Sequence, residues 1–131
     1  MASCDDSGQT SILERSEDVL ILKQELNTKH ENCFKVTFSQ ADELLSSGFD
    51  YKLVLWNLKE NKKSVSRNIL DVLKEHLGEE ALSYNPPFVY SQLFIPQNKS
   101  NGEQILLGLG NGMLARFKKK KLQLAELKQV H

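Results

Sequence analysis

Cysteine is scarce in this chain: 131 residues carry only Cys4 and Cys33. With three scattered histidines (His30, His76, His131) they show none of the spacing of a zinc site. Cys4 lies in a polar leader, which argues against a structural disulfide and for a reducing compartment, cytosol or nucleus. No apolar run approaches the roughly 18–20 residues that a membrane-spanning helix needs, so no membrane contact is expected. Residues 1–10 are acidic and polar, unlike a signal or transit peptide. Catalytic signatures are missing as well: there is no serine-centred elbow, no paired histidines and no phosphate loop ending in Gly-Lys-Ser/Thr. Asp42 with Glu43, and Glu79 with Glu80, are adjacent pairs, and neighbours one apart do not share a helix face. The residues themselves therefore call for no catalytic group, no metal and no cofactor. Net charge is zero, but it is unevenly spread: residues 1–50 hold ten acidic and four basic side chains (−6), residues 51–131 seven and thirteen (+6).

Along the chain, residues 1–16 lack periodicity and read as a flexible leader, followed by a single domain over 17–131. Residues 17–26 (EDVLILKQEL) suit a buried strand, with a short helix as the rival, and 33–38 (CFKVTF) alternate as a half-buried strand. In SQADELLSSG, Ser39 is placed to cap a short helix, Asp42 and Glu43 suit its positive end, and Gly48 suits its stop. Residues 49–58 (FDYKLVLWNL) form the clearest strand; the near-continuous apolar run predicts a central position with both faces covered. Trp56 belongs to the core or to the rim of a groove. Ser64 caps a helix over 65–77, where Val65, Ile69, Val72, Leu73 and Leu77 recur at three and four, and Gly78 ends it. His76, late on that helix, suits the helix end better than catalysis. Such alternation predicts a parallel sheet with crossover helices. Further strands are expected at 88–95 and 103–109, then a basic helix from 113 onward.

Gly108, Gly110 and Gly112 follow a strand. Where a helix comes next, such glycines let a phosphate or cofactor approach the backbone; a β-hairpin turning on Asn111-Gly112, with Leu109 opposite Leu114, is the alternative. ILLGLGNGMLARF resembles the glycine-rich turn of methyltransferase-like Rossmann domains. QADELLSSGFDYKLVLWNL is similar to a later passage of that class, and Asn85-Pro86-Pro87-Phe88 to the tetrapeptide that grips a target nitrogen in amino-group methyltransferases. The resemblance implies S-adenosylmethionine at Gly108, Gly110 and Gly112, although the glycine turn here comes last rather than first. Without it, the two prolines end a loop and Phe88 anchors that loop in the core. Tyr51 to Lys63 (YKLVLWNLKENKK) superficially resembles a blade strand of WD-type propellers; no repeat of about 40 residues accompanies it, and that reading is set aside.

Arg116 and Lys118, Lys119, Lys120 and Lys121 form the densest charge cluster. It fits a solvated final helix, a contact with a partner or nucleic acid, or an import address. Phe117 is either a stacking platform or a core anchor.

The expected architecture is a three-layer, Rossmann-like α/β sandwich of four to five mostly parallel strands with a basic C-terminal helix. Its core is expected at Val19, Ile21, Phe34, Val36, Phe38, Leu44, Leu45, Leu53, Leu55, Ile69, Val72, Leu73, Phe88 and Leu106. The expected function is non-catalytic: an intracellular interaction module, subunit or adaptor, that meets a protein partner through Phe88, Leu93, Phe94, Ile95, Arg116 and Lys118–Lys121. Nucleic-acid binding through the basic segment is the alternative. Partner identity and oligomeric state stay open.

Overall fold

Two- to four-residue turns join most of the strands, and this decides the topology, because parallel neighbours need a crossover of a dozen residues or more. The computed structural model describes residues 1–27, 30, 33–80, 85–97 and 102–130. Phe34's side chain lies outside what is described. Among the described residues, three antiparallel sheets follow one another. The first holds β1 (Ala2–Cys4), β2 (Gln9–Ser16) and β3 (Val19–Asn27). The second is a meander of β4 (Cys33–Gln40), β5 (Glu43–Gly48), β6 (Lys52–Asn57) and β7 (Lys62–Asn68). After α1 (Ile69–Leu77), the third repeats that order with β8 (Val89–Ile95), β9 (Gln104–Leu109), β10 (Met113–Lys118) and β11 (Gln123–Gln129).

The Rossmann-like sandwich is thereby overturned: every strand pair is antiparallel. The local chemistry shows why. Residues 39–48 form the β4–β5 hairpin rather than a capped helix, with Leu44 opposite Phe38 and Leu45 opposite Thr37. Asp50 Oδ1 accepts the Lys52 N–H at 3.1 Å and closes the β5–β6 turn. Asn57 Oδ1 accepts the Glu60 N–H at 3.1 Å before Asn61 takes a left-handed φ of 50°. Ser64 lies in β7; Asn68 caps α1 instead, its Oδ1 accepting the Asp71 N–H at 3.3 Å, while Gly78 ends the helix as expected. The basic C-terminal helix is a hairpin, since Lys121 (φ 65°) and Leu122 (φ 45°) take left-handed conformations that no α-helix admits. Where a flexible leader was expected, the structure holds β1 and β2, with Asp5 Oδ1 accepting the Ser7 and Gln9 N–H groups in the turn between them.

The middle sheet is buried on both faces. Leu53 and Leu55 alternate with Val54 and Trp56 along β6, as a pleated strand requires. One set packs with Leu45, Ile69, Leu73, Ile105, Leu107, Ala115, Phe117 and Leu122 toward the third sheet. The other packs with Leu44, Ile12 and Leu26 toward the first. The continuous apolar run of 49–58 thus has both faces covered, but by sheets rather than helices. β3 departs from expectation: Val19 is 62% exposed and Ile21 52%, so neither is core.

A buried polar chain locks the middle sheet. Trp56 Nε1–H donates to Ser46 Oγ at 2.9 Å, and Ser46 Oγ–H donates to His30 Nε2 at 2.8 Å. His30 Nδ1–H donates to Asp50 at 3.0 Å. The Asp50 carboxylate can only accept, which sets the Nδ1–H tautomer and leaves Nε2 to accept from Ser46. Burial lowers the His30 pKa below the ordinary value, against the pull of Asp50, so the ring is neutral.

Candidate functional site

The third and middle sheets diverge beside the β10–β11 bend and leave a groove of about 720 Å³ between them. Leu55 and Val65 supply apolar lining, Ser64, Gln97 and Gln104 polar lining, Glu43 and Glu103 carboxylates, and Lys118, Lys119, Lys120 and Lys121 cations. The four lysines do different work. Lys119 is drawn inward: its Nζ meets Glu43 Oε1 at 2.6 Å, Ser39 Oγ at 3.2 Å and the Glu103 carboxylate. Its backbone N–H donates to Glu103 O at 3.0 Å. Gln40 Nε2 also donates to Glu103, at 3.3 Å. Lys119 therefore pins the middle sheet (Ser39, Glu43) to the segment that leads into β9. Burial opposes its charge, but the hydrogen bonds to Glu103 and Glu43 outweigh that and hold its pKa above the ordinary lysine value. The Lys119 hydrogen bond holds Glu103 below the usual carboxylate range. Lys118, Lys120 and Lys121 stay exposed at the groove.

The other sequence-derived candidates are dispersed. Arg116 does not line this groove: it pairs with Glu126 at 2.6 Å and donates to Gln104 at 3.3 Å. Phe117 is fully buried and cannot stack on a base. Phe88 is a half-buried member of an aromatic cluster, stacked on Tyr51 at 5.1 Å and tilted against Phe49 at 4.9 Å. Leu93 is 59% exposed on β8, whereas Phe94 packs against the core and Ile95 is half-buried.

The three glycines serve a hairpin. The Gly112 N–H donates to Leu109 O at 3.1 Å and Gly112 takes a φ of 79°, which makes a three-residue loop. The expected two-residue turn on Asn111-Gly112 is thus lengthened by one, and the register slips: Leu107 faces Ala115, and Leu114 faces Gly108. Gly108 leaves room for Ser91 Oγ, which lies 2.4 Å from where a Cβ would stand. Gly110 sits against the Tyr90 ring and Pro86 O. Residue 113 opens a strand, so the helix N-terminus that the methyltransferase-like turn implied is not there.

Sequence reasoning missed Glu43 and Glu103, and it missed the His30–Asp50–Ser46–Trp56 chain. It also missed Gln92, whose Nε2 donates to Thr37 Oγ1 (2.9 Å) and Leu45 O (3.2 Å) while its Oε1 accepts from Ser47 Oγ (3.0 Å). The signal for the chain was a serine, an aspartate and a tryptophan spread over one hairpin.

No family model matches the chain. It is 27% identical over 128 residues to a WD repeat-containing protein 53 homolog of Dictyostelium discoideum, covering 87% of this chain and 33% of that protein. It superposes on Saccharomyces cerevisiae Sqt1 with a TM-score of 0.70 at 18% identity, over 96% of this chain and 34% of the other. On the WD40 domain of Toxoplasma gondii coronin the TM-score is 0.72 at 12% identity, over 98% and 30%. The fold is that of WD40 propeller blades. The blade-strand resemblance set aside for Tyr51 to Lys63 was therefore the correct one. The absence of a repeat of about 40 residues misled, because α1 and the segment after it lengthen the spacing between blades: β4 starts at Cys33 and β8 at Val89. The chain spans about a third of the length of these relatives.

Proposed function

We propose that the chain is a non-catalytic protein-docking scaffold of the cytosol or nucleus, and that its docking surface is the lysine-rimmed groove between the second and third blades. One observation carries the reading: Lys118, Lys120 and Lys121 ring an opening with Leu55 and Val65 in its wall, while Lys119 is spent on holding the two blades together. A partner segment with acidic side chains flanking one or two small apolar ones fits that lining, its carboxylates meeting the lysines and its apolar group leaving water. The WD40-blade fold supports a scaffold role. Nothing observed favours nucleic acid, since Arg116 is paired and Phe117 buried.

A fluorescent peptide of alternating glutamate and leucine tests this by anisotropy. Reversing Lys118, Lys120 and Lys121 to Glu should weaken its binding at least about tenfold, equivalent to ~1.4 kcal/mol. Unchanged affinity would refute the groove. Tighter binding of single-stranded DNA, lost in the same variant, would transfer the site to nucleic acid.

A further inference from the structure

The chain's two cysteines lie 29 residues apart in sequence and in different sheets, yet the fold brings them into contact. The expectation against a disulfide rested on Cys4 lying in a loose leader; Cys4 stands in β1 instead. It is directly opposite Thr10 of β2, so the two side chains leave the first blade on the same face. That face meets the middle blade: Thr10 is fully buried, and its Oγ1 lies 3.9 Å from Cys33 Sγ at the head of β4. The Cys4 Sγ–H donates to Cys33 O at 3.3 Å. The surroundings fit closely. Gly8, in the β1–β2 turn, is buried, and a Cβ there would collide with the backbone of His30, three residues before Cys33. Both cysteines are thiols.

We propose that Cys4 and Cys33 are a redox pair that hydrogen peroxide joins into a disulfide, clasping the first blade to the middle one. One thiolate attacks a peroxide oxygen; the O–O bond breaks, hydroxide leaves and takes up a proton as water, and a sulfenic acid is left on the sulfur. The second thiolate attacks that sulfur; the S–O bond breaks, a second water leaves, and the S–S bond forms. Two thiols and one peroxide thus give one disulfide and two waters, the sulfurs supplying the two electrons that peroxide accepts. Side-chain rotation brings the sulfurs to the roughly 2.0 Å of the bond, because both cysteines border the same threonine and the Cys4 sulfur already touches the Cys33 backbone. Without the bond, the contact between these blades is held by the apolar cluster of Ile12, Leu26, Leu44, Val54 and Trp56. The bond closes a loop across the 29-residue separation and so removes freedom from the unfolded chain. A thiol reductant reverses it. The pair sits between the first and middle blades, away from the lysine groove, and the inference does not rest on the docking role proposed for that groove.

Treating the folded chain with hydrogen peroxide, alkylating the remaining thiols and mapping peptides by mass spectrometry without reductant tests this. The monomer should lose two hydrogens, neither thiol should take up the alkylating agent, and a Cys4 peptide should appear joined to a Cys33 peptide. The thermal midpoint of the oxidised monomer should lie roughly 10 °C above that of the reduced chain, and dithiothreitol should bring it back. The crosslink should form at least about tenfold faster in the folded chain than in concentrated urea, since the fold holds the two sulfurs together. Cys4→Ser should keep the circular dichroism and midpoint of the reduced wild type, while showing neither the crosslink nor the rise with peroxide. Crosslinks only between chains, sulfinic acid in place of the two-hydrogen loss, equal rates in urea, or an oxidised monomer with an unshifted midpoint would each overturn the proposal.

Discussion

Replacing Ser46 by Ala tests whether the buried polar chain holds the middle blade together. Ser46 is fully buried, so no water can stand in for its hydroxyl. The substitution orphans two groups at once: the Trp56 indole N–H, which donates to Ser46 Oγ, and His30 Nε2, which accepts from it. Each buried unsatisfied group costs ~1–3 kcal/mol, so the loss should be about 2–6 kcal/mol. At roughly 4 °C per kcal/mol for a chain of this size, the midpoint of thermal unfolding should fall by roughly 8–24 °C. Ser66→Ala, on an exposed stretch of β7, is the control and should shift stability by no more than about 0.5 kcal/mol. Trp56→Phe removes the same donor, so the double variant with Ser46→Ala should lose less than the sum of the two single losses. A Ser46→Ala protein as stable as Ser66→Ala would refute the reasoning.

The neutral His30 adds a pH dependence. Its folded pKa lies below the ordinary ~6.5, so the contribution to stability is complete above that value and is lost as pH falls through the folded pKa. Urea midpoints should drop between pH 7.5 and 5, and His30→Asn should flatten that drop while His76→Gln does not. Lys119→Met should cost about 1–3 kcal/mol, because Glu43 and Glu103 lose their shared cation, and hydrogen exchange should rise on β4–β5 and β9 together. The Glu103 share of that stability, being that of a carboxyl with a lowered pKa, is present above ~4.5 and lost in acid. Gly108→Ala should change stability by no more than about 1 kcal/mol, because the Ser91 Oγ its Cβ would meet ends an exposed side chain that can turn to another rotamer.

How far the sequence could be read depended on whether a signal was local. The strand at 49–58, the strands at 88–95 and 103–109 and the stop at Gly78 announced themselves through burial pattern and capping chemistry. Strand direction did not. A run buried on both faces is the same in a parallel sheet between helices as in an antiparallel sheet between two others, and only the short turns, closed by Asp50, Asn57 and Gly112, separate the two cases. Ser39, Asp42 and Gly48 had the composition of helix caps, but Leu44, Leu45, Ser46 and Ser47 are all buried, which a strand between two sheets allows. Of the candidate site, the lysine cluster was legible as charge. Its division into one inward pin and three exposed cations was not, because Glu43 and Glu103 lie 76 and 16 residues away from Lys119 in sequence.

Interstrand backbone nuclear Overhauser effects measure the arrangement on which all of this rests. The stacked meanders require cross-peaks that pair Leu45 with Leu55, Leu107 with Ala115 and Ala115 with Leu127 in antiparallel register. Helical contacts three residues apart through 113–129, or parallel pairing of 44–47 with 53–56, would contradict it.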